Sequence, residues 1–288
     1  MRFAIWNNKG GVGKTFLSLV LSTEFAHRQP QKTVLVVDMC PQANLSEILL
    51  GGNGEGANNL NTLLSQNKRK TVGGYFDERI SSPHKTTGSE TSYLVKCNDY
   101  NANMPDNIYL LTGDPSLEIQ AQVISQISSQ TLPQDSWKNV HLWLKDIVSA
   151  CERYLGETIV IVDCNPSFST YTELAMLAAD QILIPCSSDG SSARAIDNVG
   201  SLLYGLHKTD AYKGIDFSAK AKELAVPKIR AVLLNRSTQY DKKASKAFRA
   251  MFEEIKSRVE RLKKNKSSAF VKASNLFFFM YPTIIPSQ

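Results

Sequence analysis

The stretch Asn7-Asn8-Lys9-Gly10-Gly11-Val12-Gly13-Lys14-Thr15 decides how this 288-residue chain is read. Three glycines in four positions let the backbone turn tightly and bring its N–H groups close to a ligand with no Cβ in the way. The apolar run Phe3–Trp6 before it reads as a strand. The residues from Thr15 onward read as a helix, whose N-terminus adds the positive end of its dipole. Strand, glycine loop and helix together make a phosphate cradle. Lys14 can neutralise the β and γ phosphates of a nucleotide, and the Thr15 hydroxyl can ligate Mg²⁺. The usual GxxxxGK[ST] spacing asks for glycine at position 8, where this chain has Asn8, and a second lysine, Lys9, opens the glycine run. The loop is therefore a deviant form of the phosphate-binding loop.

Outward from the loop, short apolar runs alternate with amphipathic stretches, the pattern of βα units on a parallel sheet. The predicted strands are Phe3–Trp6, Thr33–Val37, Ile108–Leu111, Thr158–Val162, Gln181–Ile184 and Ile229–Leu234. The clearest helix runs from Lys243 to about Lys264, with Ala244, Ala247, Phe248, Met251, Phe252, Ile255, Val259 and Leu262 on one face. The expected fold is α/β, a mostly parallel twisted sheet flanked by helices on both faces, in a single domain spanning 1–288. Residues 51–107 break the rhythm. Rich in Gly, Asn, Ser and Thr, they read as a loop-rich insertion with a short helix near Asn59–Gln66.

Composition narrows the class. Apolar residues make up 42% of the chain, too many for a disordered one. The five cysteines (Cys40, Cys97, Cys151, Cys164 and Cys186) are odd in number and show neither CxxC nor zinc spacing. No signal peptide and no run long enough to cross a membrane is visible, and Leu276–Tyr281 suits a buried strand better than an anchor. A cytoplasmic protein with reduced thiols is expected. The net charge of +6 is unevenly placed, with 18 basic against 7 acidic residues in 207–288 and 15 against 20 in 1–206. A basic C-terminal third suits a polyanionic partner or a solvated helix face.

Two acidic residues follow apolar runs. Asp38 ends the strand at Thr33–Val37 and Asp163 the strand at Thr158–Val162. Ligands of open α/β sheets gather at such carboxyl ends. Both carboxylates suit the water shell of Mg²⁺, which keeps several waters and few protein ligands.

On Lys9-Gly10-Gly11-Val12-Gly13-Lys14-Thr15 the chain resembles the ParA/MinD-type deviant Walker A ATPases, closest to the ParA partition ATPases that lack an N-terminal helix-turn-helix domain. Further stretches carry the resemblance in order. Asp38-Met39-Cys40-Pro41-Gln42-Ala43-Asn44 is similar to the switch I motif DxDPQxN, and Ile161-Val162-Asp163-Cys164-Asn165-Pro166-Ser167 to the Walker B and switch II segment. Ala178–Pro185 resembles the strand that follows. Asn235-Arg236 lies where that family reads adenine, and Ile285-Pro286 resembles the element bordering the base. The resemblance implies ATP and Mg²⁺ as cofactors, with nucleotide contacts from Lys9, Gly10, Gly11, Val12, Gly13, Lys14, Thr15, Phe16, Asn235, Arg236 and Pro286. It implies Mg²⁺ near Thr15, Asp38 and Asp163. It also implies an ATP-sandwich homodimer in which Lys9 reaches the partner's phosphates, nonspecific DNA binding by the dimer, and a ParB-like or other cargo adaptor that stimulates hydrolysis.

One departure bears on catalysis. The second switch I aspartate of that family, which positions the attacking water, is Cys40 here. A thiol is a weak donor and acceptor and stays mostly neutral at pH 7. Hydrolysis should be slow, with Asp38 or Gln42 as substitute water-positioning groups; the alternative is a non-hydrolysing, ATP-gated scaffold. A reactive thiol is a third reading of Cys40, and Cys164 reads as a small buried filler. An electron-transfer ATPase like the nitrogenase iron protein shares the loop, but Cys97 and Cys151 lie in no cluster motif. Among the basic residues, Lys242, Lys243, Lys246, Arg249 and Lys256 are the candidates for contacting DNA phosphates, in competition with i,i+4 pairs such as Arg249–Glu253 and Lys256–Glu260.

Overall fold

The computed structural model describes residues 1–187, 190–206, 216–235, 239–240, 243–244, 246–272 and 277–279, with side chains given outside 190–192, 239–249 and 277–279. The strands are β1 (Arg2–Ile5), β2 (Thr33–Met39), β3 (Val95–Lys96), β4 (Ile108–Leu111), β5 (Thr158–Cys164), β6 (Gln181–Cys186), β7 (Lys228–Leu234), β8 (Gln239–Tyr240), β9 (Lys243–Ala244) and β10 (Phe277–Phe279). The helices are α1 (Lys14–Arg28), α2 (Asn44–Leu49), α3 (Glu55–Leu64), α4 (Val72–Ser81), α5 (Leu117–Ser128), α6 (Ser136–His141), α7 (Trp143–Leu155), α8 (Thr170–Ala178), α9 (Gly190–Tyr204), α10 (Phe217–Lys220) and α11 (Lys246–Asn265).

Among the described residues one sheet has the order β10-β7-β6-β1-β5-β2-β4-β3, parallel throughout except for the antiparallel edge strand β3. Strand alternation divides the core into two layers. Phe3, Ile5, Val34, Val36, Ile161, Leu183 and Leu233 face α1, α2 and α3. Ala4, Trp6, Leu35, Val37, Val160, Val162, Ile184 and Val232 face α4, α5, α7, α8, α9 and α11. The central strands β1, β2 and β5 are buried on both faces, which is why they are near-continuous apolar runs. The fold is the α/β P-loop architecture expected from the sequence.

The chain leaves β1 toward β2 on one side and later places β6 on the other, so the order reverses at β1. The glycine loop leaves the sheet at this switch point, where open α/β sheets bind ligands.

Three expectations need correction. Residues 51–107 are not mainly loop: they form α3, α4, two short 3₁₀ helices and β3, and they bury Tyr75, Phe76 and Tyr93. Their polar composition hid a helix entry at Thr71, whose side chain accepts the Gly74 N–H. The predicted helix at Asn59–Gln66 is α3, Glu55–Leu64. Asp38 and Asp163 lie within the last turns of β2 and β5 rather than past them, because each strand runs two residues longer than its apolar run. The final long helix begins at Lys246 instead of Lys243, with β9 occupying Lys243–Ala244. Its Ile255, Val259 and Leu262 are buried as the periodicity requires. The apolar segment near the end holds β10 beside β7. No helix of the described residues is long and apolar enough to cross a membrane.

Candidate nucleotide-binding site

The loop is built as its glycines require. Gly11 and Gly13 sit at φ 74° and 87°, in the left-handed region that side chains rarely adopt. At Gly13 a Cβ would also fall 2.1 Å from Asn235 Nδ2, which donates to the Val12 carbonyl at 3.1 Å. Asn235 therefore clamps the loop from the end of β7. Buried Asn7 holds the other side, donating to the Pro185 carbonyl at 2.7 Å and accepting the Lys9 N–H at 2.9 Å. Lys14 Nζ donates to the carbonyls of Lys9 at 2.8 Å and Asn7 at 3.2 Å. Burial holds its pKa below the usual lysine value, and the nearby Asp163 acts against that shift.

The two carboxylates are neighbours across the sheet, since Asp38 and Asp163 are paired residues of the β2–β5 ladder. Asp163 accepts the Thr15 hydroxyl at 2.9 Å and the Ser18 hydroxyl at 3.0 Å. Asp38 accepts the Cys40 N–H at 3.0 Å on one oxygen, and the Ser46 N–H and hydroxyl at 3.0 and 2.8 Å on the other. Both are essentially inaccessible to solvent. Burial raises the pKa of each; for Asp163 the charge of Asp38 raises it further, to about 7. Two buried acids disfavour their own ionisation, and a cation between them and a phosphate would relieve that cost. The donors are hydroxyl and carboxylate oxygens, the hard ligands Mg²⁺ takes. No group of three or more His, Cys, Asp or Glu that could hold a metal occurs among the described residues. The residues present fit Mg²⁺.

A cleft of about 490 Å³ opens over these groups, lined by Gly11, Gly13, Lys14, Thr15, Cys40, Gln42, Asn44, Cys164, Asn165 and Pro166. Cys40 is half-buried, 3.9 Å from the Asn165 amide nitrogen. Burial, then the Asp38 charge, pushes its thiol up to about 11. That is the opposite of an activated thiol. Cys164 is fully buried, its pKa raised by burial, as a filler residue would be.

The structure thus brings together Lys9, Gly10, Gly11, Val12, Gly13, Lys14, Thr15, Asp38, Cys40, Asp163 and Asn235, and leaves Phe16 exposed beside them. Arg236, Lys242 and Pro286 lie outside the described residues, as do the side chains of Lys243, Lys246 and Arg249. Of the DNA candidates only Lys256 has a described side chain, half-buried on α11. Among the described residues, ion pairs on that helix join Arg258 to Glu254 and to Asp197 of α9, in place of the Lys256–Glu260 pair expected from spacing. Two site residues escaped sequence reasoning, Ser18 and Ser46. Ser18 lies one helical turn past Lys14, a spacing that could have flagged it. Ser46 has no such local signal.

A glycine loop at the switch point of a parallel sheet, with a lysine and a hydroxyl lining one cleft and two strand-end carboxylates buried beside them, defines the class of P-loop nucleotide-binding proteins. Within that class the chain belongs to the AAA domain family AAA_31, whose model matches residues 2–213. A relative in Methanocaldococcus jannaschii, the uncharacterized protein MJECL24, is 28% identical over 187 residues. The match covers 64% of this chain and only 57% of that protein. The fold is shared with the ATP complex of a Cyanothece McdA variant (TM-score 0.63, 18% identity, 94% of this chain and 88% of that one). It is shared also with a Borrelia burgdorferi plasmid partition protein bound to AMPPNP (TM-score 0.58, 18% identity, 96% and 84%). A third is cobyrinic acid a,c-diamide synthase of Mycobacterium smegmatis, with an ATP analogue and magnesium (TM-score 0.55, 18% identity, 90% and 82%). The architecture is that of the ParA/MinD-type P-loop ATPases.

The thiols give a test of this geometry. Cys40 is the one cysteine not buried, and a pKa of about 11 against an ordinary 9.0 leaves it about 100-fold less thiolate at pH 8. Iodoacetamide should label the native protein slowly and at Cys40 alone, with a rate still climbing at pH 10. Fast labelling with a plateau below pH 9, read by peptide mass spectrometry, would contradict this environment.

Proposed function

We propose that the protein is a slow, ParA-like ATPase whose ATP-bound form is a homodimer that binds DNA nonspecifically and positions a plasmid, a chromosome region or another cargo. The observation that carries the proposal is the gathering of Lys14 and Thr15 in one cleft at the sheet switch point, with the buried Asp163 accepting the Thr15 hydroxyl and paired across the sheet with Asp38. In this reading the backbone N–H groups from Gly10 to Thr15 and the Lys14 ammonium bind the phosphates. Thr15, Asp38 and Asp163 would be the residues that hold Mg²⁺ and its water shell. Bound there, Mg²⁺ would neutralise charge on the β and γ phosphates. Lys9, at the mouth of the loop, reaches the nucleotide of a second subunit. A cation acting across the interface makes dimerisation depend on nucleotide occupancy. The basic excess of 207–288 supplies phosphate contacts without base readout, and a ParB-like or other adaptor discharges the dimer. A cytoplasmic, nucleoid-associated location follows from that partner.

Cys40 sets the rate. A neutral thiol with a pKa near 11 neither accepts a proton from water nor orients one well, so the ATP state is long-lived. Gln42, Asn44 and Asn165 line the same cleft and, with Asp38, are groups that can hold the attacking water. The same thiol favours a second reading, a scaffold gated by ATP binding alone.

Steady-state turnover with Mg²⁺ and DNA separates the two. The ATPase reading expects wild-type turnover above a Lys14→Ala control and a gain of about 10-fold or more in Cys40→Asp. Turnover equal to the control in both proteins would overturn it. Light scattering tests the dimer: ATP should double the mass of the wild type and leave Lys9→Ala monomeric, and a dimeric Lys9→Ala would contradict the role in trans.

A further inference from the structure

Asp38 does not stand alone at the end of β2. The chain from Asp38 to Ser46 is folded onto its carboxylate, which takes the N–H of Cys40 and both the N–H and the hydroxyl of Ser46. Ser46 is fully buried. Its hydroxyl oxygen also accepts the N–H of Gly113 at 2.9 Å. Gly113 belongs to the turn after β4, and it presses on the same loop: a Cβ there would lie 2.9 Å from the Cys40 carbonyl and 2.9 Å from Ala43 Cβ. Ala43 itself is held at φ 48°, a left-handed conformation unusual for alanine. The loop carrying Asp38 and Cys40 is thus backed by one turn, Thr112-Gly113-Asp114.

The other side of that turn is gripped by the segment 51–107. Thr112 donates its hydroxyl to the Lys70 carbonyl at 2.8 Å and accepts the Val72 N–H at 2.9 Å. Thr71 donates to Asp114 at 2.5 Å, and Arg69 lies 3.1 Å from the same carboxylate. Gly73 packs so closely that a Cβ would fall 2.4 Å from Asp114 Oδ2. Asp114 and Thr71 are both buried. Hydrogen bonds joined through the backbone of the turn therefore lead from the N-terminus of α4 to Ser46 and Asp38.

We propose that Ser46 is a positioning residue that fixes the Asp38 carboxylate for the metal shell, and that the Thr112-Gly113-Asp114 turn passes the position of the 51–107 segment to it. The proposal rests on the nucleotide-site reading above and deepens it by giving that segment a role. A buried donor bound to a carboxylate fixes which oxygen faces the cleft, and outer-shell partners of this kind are worth about 10- to 100-fold in metal affinity. Anything that moves α4 would reach Asp38 through covalently short, fully buried steps.

The test measures binding of a fluorescent ATP analogue in EDTA and across a Mg²⁺ titration. Ser46→Ala should raise the Mg²⁺ concentration for half-maximal binding about 10-fold and leave metal-free affinity within about twofold; Ser46→Thr, which keeps the hydroxyl, should restore it. Thr71→Val, remote from the phosphates, should shift the Mg²⁺ requirement in the same direction. In metal-free protein it should also speed amide hydrogen exchange at Cys40 and Ser46. A wild-type Mg²⁺ requirement in Ser46→Ala would overturn the positioning role. A Thr71→Val protein with lowered thermal stability but unchanged Mg²⁺ requirement and exchange would overturn the relay, which keeps the test decisive if Ser46→Ala does not fold. Failure of the wild type itself to bind the analogue would instead refute the nucleotide-site reading, and the proposal with it.

Discussion

Asp38 and Asp163 stand side by side on adjacent parallel strands, buried, with the charge of Asp38 opposing ionisation of Asp163. Such a pair is costly for a fold to keep unless something positive completes it. The surrounding structure is arranged around that constraint. Hydroxyls of Thr15 and Ser18 hold one acid, the backbone and hydroxyl of Ser46 hold the other, and the Lys14 ammonium approaches from the glycine loop. The helix α1 supplies Thr15, Ser18 and Lys14 from one face, and this ties the loop, the helix and β5 into one unit.

The loop in turn depends on residues distant in sequence. Asn235 at the end of β7 and Asn7 at the end of β1 fasten it at both ends, so its conformation is fixed by strands on either side of the switch point. Parallel strands all present their carboxyl ends to the same edge. This is why Gly13, Asp38, Asp163 and Asn235, spread over more than 220 residues, gather at one edge of the sheet, with Gly13 lining the cleft and the two acids buried beside it. Cys40 lines that cleft with a thiol that burial keeps neutral.

Much of this was legible in the sequence because it rests on local patterns. Fully buried strands leave aliphatic runs, and Lys9–Thr15 is a contiguous motif whose glycines have one backbone use. The six central strands were found, each within two residues. Other features depend on contacts that no local pattern encodes. The segment 51–107 looked like loop because its helices are short and polar, and its order comes from Tyr75, Phe76 and Tyr93 packing on a core made by α7. Ser46 gave no signal because its role is defined by Gly113, brought near by the pairing of β4 with β2. Asp38 and Asp163 read as lying past the strands, since an acid at a strand end reads as a terminator when its partner strand is not yet known.

The central claim is that the buried acids Asp38 and Asp163 disfavour their own ionisation in the metal-free protein, and thermal unfolding of wild type and Asp163→Asn across pH 5 to 8 tests it most directly. A carboxyl whose folded pKa is raised from 3.8 to about 7 favours folding while protonated, and that contribution is lost as pH rises through the window up to about 7. Without metal or nucleotide, wild type should lose stability relative to Asp163→Asn as pH climbs from 5 to 8. Parallel unfolding profiles over that range would contradict the account.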